Sequence, residues 1–99
     1  MIDFKQASQK ARDHLQRIES DIGIPLQLIK MREESFGWVF FYQSKEYTEK
    51  EDFSAMLTGN TPFLIDRETK ELRVLGTAYP AENYIQEYIA SHIELKRDV

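Results

Sequence analysis

The stretch FGWVFFY, Phe36 to Tyr42, limits what this chain can fold into more than any other segment. As a strand it sends Trp38, Phe40 and Tyr42 to one side and Val39 and Phe41 to the other. Both sides are therefore apolar, whereas a sheet with one wet face alternates apolar and polar residues. Two later segments repeat the pattern more weakly: Phe63 and Ile65 oppose Leu64, and Leu72 and Val74 oppose Leu75. Three arrangements satisfy such strands. Helices cover more than one face of the sheet, the sheet curls around a long helix, or an aromatic surface is left for a partner or a second copy of the chain.

Helices are available to do the covering. Phe4, Ala7, Ala11, Leu15, Ile18 and Ile22 recur at steps of three and four, one stripe of an amphipathic helix. Asp3 is placed as its N-cap, with Gln6 where a capping box wants Glu or Gln. Gly23 is the C-terminal stop, and Pro25 prevents continuation. A second helix is expected near the end, with Pro80 in its first turn, Glu82 complementing its dipole, and Ile85, Tyr88, Ile89 and Ile93 as its stripe. The tail from Glu94 is expected to fray.

Between them the spacing predicts four strands. Leu26 to Glu33 turns through Arg32–Ser35 into the strand opened by Gly37. Ser44 to Leu57 has no period of two and a weak helical hint at Phe53, Met56 and Leu57, so it is expected to be a loop with one helical turn. Leu57 to Asn60 is a turn signal, and Pro62 belongs at a strand start or on an edge. PFLID and ELRVLG then form a hairpin around Arg67–Lys70, with Gly76 and Thr77 ending its second strand. Lys70 falls at the left-handed position of that turn, where a side chain costs about 1 kcal/mol relative to glycine. The predicted class is α+β: a long N-terminal helix, a four-stranded mainly antiparallel sheet and a C-terminal helix, in one domain over residues 1–99.

Composition narrows the function classes. Thirteen basic against seventeen acidic residues give a net charge of −4. That balance disfavours sequence-independent nucleic-acid binding, because no excess of cations replaces phosphate counterions. The absence of cysteine removes disulfides, thiolate nucleophiles and thiolate-bound zinc. Asp3 and Lys5 interrupt any signal-peptide pattern, and no apolar run approaches a membrane span, so the expected location is cytoplasmic.

Side chains that could carry chemistry are few. His14 and His92 sit on different helices with no carboxylate–histidine cluster around them, the pattern of ordinary helical histidines. Ser35, Ser44, Ser54 and Thr58 have no nucleophile-elbow context. Glu33, Glu34, Glu46, Glu49, Glu51 and Asp52 include no pair set apart from solvated loop carboxylates. The glycines cradle no phosphate, since Gly59 and Gly76 are isolated turn residues. The reading is non-enzymatic, with no catalytic residue, cofactor or metal. Should the aromatic strand face outward, Trp38, Tyr42 and Tyr47 would anchor a partner. Glu46, Glu49, Glu51 and Asp52 would form an acidic rim beside them.

The blocks Gly37-Trp38, GN-x-PF-x-ID (Gly59 to Asp66) and GTA-x-P-x-E-x-YI (Gly76 to Ile85) occur here in that order. Together they resemble the small bacterial proteins grouped as YrhB-like, or immunity protein 35, over roughly Gly37 to Tyr88. The family usually carries glycine where this chain has Lys70. The resemblance implies a toxin-neutralising immunity protein, encoded beside a secreted polymorphic toxin and acting by stoichiometric binding. It also implies an alternative, a small heat-stable chaperone-like protein binding unfolded clients. The expected partner is a cognate protein toxin, with no nucleic acid or membrane, and a homodimer through the sheet or aromatic face is a further possibility.

Overall fold

A computed structural model describes residues 1–50 and 61–97, with side chains to residue 91. The chain runs α1 (Phe4–Ile22), β1 (Leu26–Glu34), β2 (Gly37–Ser44), α2 (Lys45–Lys50), β3 (Phe63–Asp66), β4 (Leu72–Val74) and α3 (Ala81–Arg97). The four strands form one sheet in the order β1-β2-β3-β4, with every neighbouring pair antiparallel. The fold is α+β, as the patterning predicts.

Helix α1 begins and ends where its sequence says. The Asp3 carboxylate accepts from Gln6 N–H at 2.8 Å, and the Gln6 side chain accepts from Asp3 N–H at 3.0 Å, a reciprocal capping box. Gly23 closes the helix at φ 70°, its N–H bonded to the Glu19 carbonyl at 2.8 Å. The buried stripe is Ala7, Ala11 and Leu15. Its two alanines are small enough to let the helix settle onto large sheet residues: Trp38, Phe40, Tyr42, Phe63 and Ile65 complete this half of the core, with Ile2 and Leu26 at its ends.

The other face of the sheet is covered as well. Val39 and Leu64 pack with Phe36, Leu75 and Ile85, flanked by Phe41, Tyr84, Tyr88 and Ile89. Helix α3 therefore lies opposite α1, and the sheet is the middle layer. That arrangement is why β2 is apolar on both sides. Phe36 and Tyr88 meet edge to face, with ring centroids 4.7 Å apart.

Strand β1 explains its own irregular sequence through a bulge. Leu28 pairs with Tyr42 and Lys30 with Phe41, leaving Ile29 unopposed. Paired residues share a face, so Leu26 and Leu28 point toward α1 before the bulge, and Met31 and Glu33 do so after it. Without the extra residue, Lys30, Arg32 and Glu34 would face the α1 core. With it, Arg32 reaches Glu34 and Glu82 on the α3 side, and Lys30 lies 5.6 Å from the Phe41 ring centre.

Strands β1, β3 and β4 shift by a residue at one end, and larger differences from expectation lie elsewhere. Pro80 precedes α3, its carbonyl accepting from Asn83 N–H, so it fixes the approach to the helix from outside. The backbone stays helical to Arg97, beyond Glu94. Strand β4 stops at Val74, short of Gly76. Where a loop is expected, α2 forms immediately after β2. The Ser44 hydroxyl accepts from Tyr47 N–H, and Thr48 bonds Gln27 of β1 at 2.8 Å. The weak helical hint at Phe53, Met56 and Leu57 and the turn ending at Asn60 lie outside the described residues.

Lys70 does occupy the left-handed position, at φ 65°. Its N–H bonds the Asp66 carbonyl at 3.0 Å, and the turn closes with Asp66 N–H on the Glu71 carbonyl. Glycine visits this conformation without steric penalty. Lys70→Gly is therefore expected to stabilise the protein by about 1 kcal/mol, read as a higher urea midpoint with an unchanged slope.

Candidate protein-binding surface

The residues expected to contact a partner separate into two groups. Trp38 and Tyr42 are 4% and 7% exposed. They face α1, so the covering helix uses them as core. The Trp38 ring lies 6.1 Å from that of Phe4 and beneath the Arg67 guanidinium, 4.9 Å away. Tyr42 lies 6.3 Å from Phe63, and burial pushes its phenol pKa up, against the lowering effect of a Thr61 backbone hydrogen bond. An outward aromatic platform is not what these two residues form.

Glu46, Tyr47 and Glu49 come together on α2, at the end of the sheet where β1 begins and β2 finishes. Lys45 N–H donates to the Pro25 carbonyl there. Both glutamates are exposed and Tyr47 is half-buried. Glu51 and Asp52 follow directly in sequence and lie outside the described residues. Nearby, β1 is an outermost strand with Ile29 and Met31 exposed beside its bulge. This end of the sheet is therefore charged and exposed, with apolar Ile29 and Met31 alongside.

Other candidate groups have structural partners. Glu34 binds Arg32 and Glu33 binds Arg67, so neither belongs to a free carboxylate pair. Among the described residues no three His, Asp or Glu side chains are grouped to hold a metal. His14 is half-buried with its ring edge against Phe63, centroids 4.6 Å apart. Desolvation, then the nearby Arg17 charge, hold its pKa below the usual histidine value. His92 lies beyond the described side chains.

The motif residues turn out to hold the scaffold. Gly37 sits at φ 152°, where a Cβ would lie 2.1 Å from the Ile65 carbonyl oxygen. Asp66 is fully buried, and its carboxylate accepts from Glu68 N–H, Thr69 N–H and the Tyr88 hydroxyl. Glu82 ties α3 to β1 through Arg32, whose hydrogen bond holds the Glu82 carboxyl below its ordinary pKa. The Tyr84 hydroxyl accepts from the N–H groups of Ala78 and Tyr79, at 3.1 and 3.3 Å, fixing the loop before α3. Gly76 leaves room for it, since a Cβ there would approach the same hydroxyl to 2.5 Å. Tyr84→Phe is expected to cost about 1–2 kcal/mol by stripping two backbone donors of their acceptor, measurable as a lowered urea midpoint.

The Asp66–Tyr88 link and the bracing role of Arg67 are not legible in the sequence. Arg67 donates from its backbone to the Phe36 carbonyl at 2.8 Å and from its guanidinium to the Glu34 carbonyl at 3.0 Å. It thereby clamps the β1–β2 turn over Trp38. The sequence shows only the Asp-Arg pair leaving β3, and the Tyr88 and Glu34 groups that these two reach are more than twenty positions distant.

Set beside known proteins, residues 5–87 match the family model for immunity protein 35. An Escherichia coli (strain K12) protein described as "Uncharacterized protein YrhB" is 38% identical over 88 residues, spanning 89% of each chain. No solved structure matches. No helix among the described residues is long and apolar enough to cross a membrane.

Proposed function

The chain belongs to the immunity protein 35 family, and from that membership we propose that it neutralises a cognate protein toxin by binding it one to one. The family match over residues 5–87 is the observation that carries this reading. In it, the protein protects the cytoplasm of the cell that makes the toxin, occupying the toxin's active site or substrate path and transforming nothing itself. The motif residues brace two helices and a sheet, which leaves partner choice to exposed groups outside the motifs. Four carboxylates, Glu46 and Glu49 on α2 with Glu51 and Asp52 next in sequence, outnumber Lys45 and Lys50, and this acidic end, net −2, suits a basic toxin surface. Such charges act chiefly by steering encounter and excluding wrong partners.

The direct test is titration of the purified chain with the toxin domain encoded by the adjacent gene. A single complex of one chain per toxin, with loss of toxin activity at equivalence, is the expected result. Many weak clients without a stoichiometric complex would replace this reading with a chaperone-like one. Changing Glu46, Glu49, Glu51 and Asp52 together to Lys is expected to slow association about tenfold and flatten its salt dependence. Unaltered association kinetics in that variant would remove the acidic end from the interface while leaving neutralisation itself standing.

A further inference from the structure

A cleft of about 390 Å³ lies between α1 and the β3–β4 hairpin, lined by Lys10, Asp13, His14, Arg17, Lys70 and Leu72. Its charge is opposite to that of the chain. Three cations stand against one carboxylate, and with His14 neutral the lining carries a net charge of two positive, on a protein of net −4. Asp13 is partly occupied in accepting from Gln9 at 3.0 Å, and among the described residues Lys10, Arg17 and Lys70 have no carboxylate within ion-pair distance. Leu72 is the apolar residue of the lining, and the Phe63 ring packs against His14. Lys70 contributes its charge from a backbone conformation that glycine would adopt without steric penalty.

We propose that this cleft binds the doubly charged phosphoryl group of a small molecule among Lys10, His14, Arg17 and Lys70. Two net positive charges match a dianion, and the ammonium, guanidinium and imidazole groups supply donors from two separate elements. The site is local, and the acidic remainder of the surface repels a polyanion, so the ligand is a phosphate monoester and not a nucleic acid. His14 enters as a poised group. Burial and Arg17 lower its pKa from the usual histidine value, and a bound dianion would act against that shift. This site is independent of toxin neutralisation, because it lies on α1 and the hairpin turn and not on α2.

NMR titration of the His14 ring with inorganic phosphate tests it, with sodium chloride at equal ionic strength and sodium acetate as comparisons. The expected result is a saturable shift with phosphate, a rise of about one unit in the His14 pKa, and binding of acetate at least several-fold weaker. Arg17→Gln and Lys70→Gly should each weaken phosphate binding about tenfold. Lys70→Gly is the decisive variant, because it removes a cation while relieving the left-handed backbone, so lost binding cannot come from lost folding. Shifts no larger than those with chloride, equal affinity for acetate, or full binding in Lys70→Gly would each overturn the proposal.

Discussion

Gly37→Ala is expected to leave the chain largely unfolded at temperatures where the parent is native. The added methyl would stand 2.1 Å from the Ile65 carbonyl oxygen and 3.0 Å from the Arg67 nitrogen. Both are backbone atoms of the neighbouring strand and its exit, so no side-chain rotation relieves the overlap. Gly37 is paired with Asp66 at the point where the β1–β2 turn and the β3–β4 turn come side by side. Making room means prising β2 from β3 and breaking the hydrogen bond from Arg67 N–H to the Phe36 carbonyl. Its φ of 152° adds backbone strain for any L side chain. Together these place the change in the rare class costing about 4 kcal/mol or more, a fall in melting temperature of about 15–30 °C for a domain this size. Gly23→Ala is the comparison. Its φ is 70° but no atom lies within 4 Å of the new methyl, so the expected cost is only about 1 kcal/mol. Equal losses in the two variants would show that contact with β3 is not the cause.

The contrast between those glycines also shows which parts of the fold the sequence made readable. Gly23 is legible because its role is local: it ends an apolar stripe and precedes a proline. The Asp3–Gln6 box and the left-handed Lys70 are legible for the same reason. Gly37 reads only as the start of a strand, because the atom that excludes a methyl belongs to residue 65. The bulge at Ile29 is hidden likewise, since a change of face is visible only once the partner strand fixes the register. Helix α2 has no apolar stripe to detect, and it is held by Ser44, Thr48 and Gln27.

The candidate site was less legible than the fold. Trp38 and Tyr42 look alike as core residues and as surface anchors, and only the position of α1 decides between them. The stripe of α3 was in view, yet nothing local says that Ile85, Tyr88 and Ile89 cover the Val39 face and not the Trp38 face. The cleft between α1 and the hairpin turn is not legible because nothing local in the sequence brings Lys70 and Leu72 opposite Lys10, His14 and Arg17.

Asp66→Ala is expected to have the second-largest effect, about 3–5 kcal/mol. The carboxylate has no exposed surface and accepts from Glu68 N–H at 2.8 Å, Thr69 N–H at 3.0 Å and the Tyr88 hydroxyl at 2.5 Å. Its removal loosens the β3–β4 turn and detaches α3 from the sheet in one step. Tyr88→Phe removes only the second of these functions, with an expected loss of about 1–3 kcal/mol. Because the two residues share a bond, the double variant should be less unstable than the sum of the singles by at least about 1 kcal/mol, measured by urea unfolding. Alkaline pH supplies an independent check. Burial, then the hydrogen bond to Asp66 and its negative charge, push the Tyr88 pKa well above its ordinary value. The folded state therefore keeps a proton that the unfolded state releases above about pH 10. The Tyr88 contribution is complete below that pH and is lost as pH rises toward the folded-state pKa. Tyr42 is shifted in the same direction by its own burial and adds to the decline. Tyr88→Phe should consequently flatten the fall in stability above pH 10 without abolishing it. A parent and variant with parallel stability profiles in that range would mean that the Tyr88 hydroxyl does not hold α3 to the Asp66 turn.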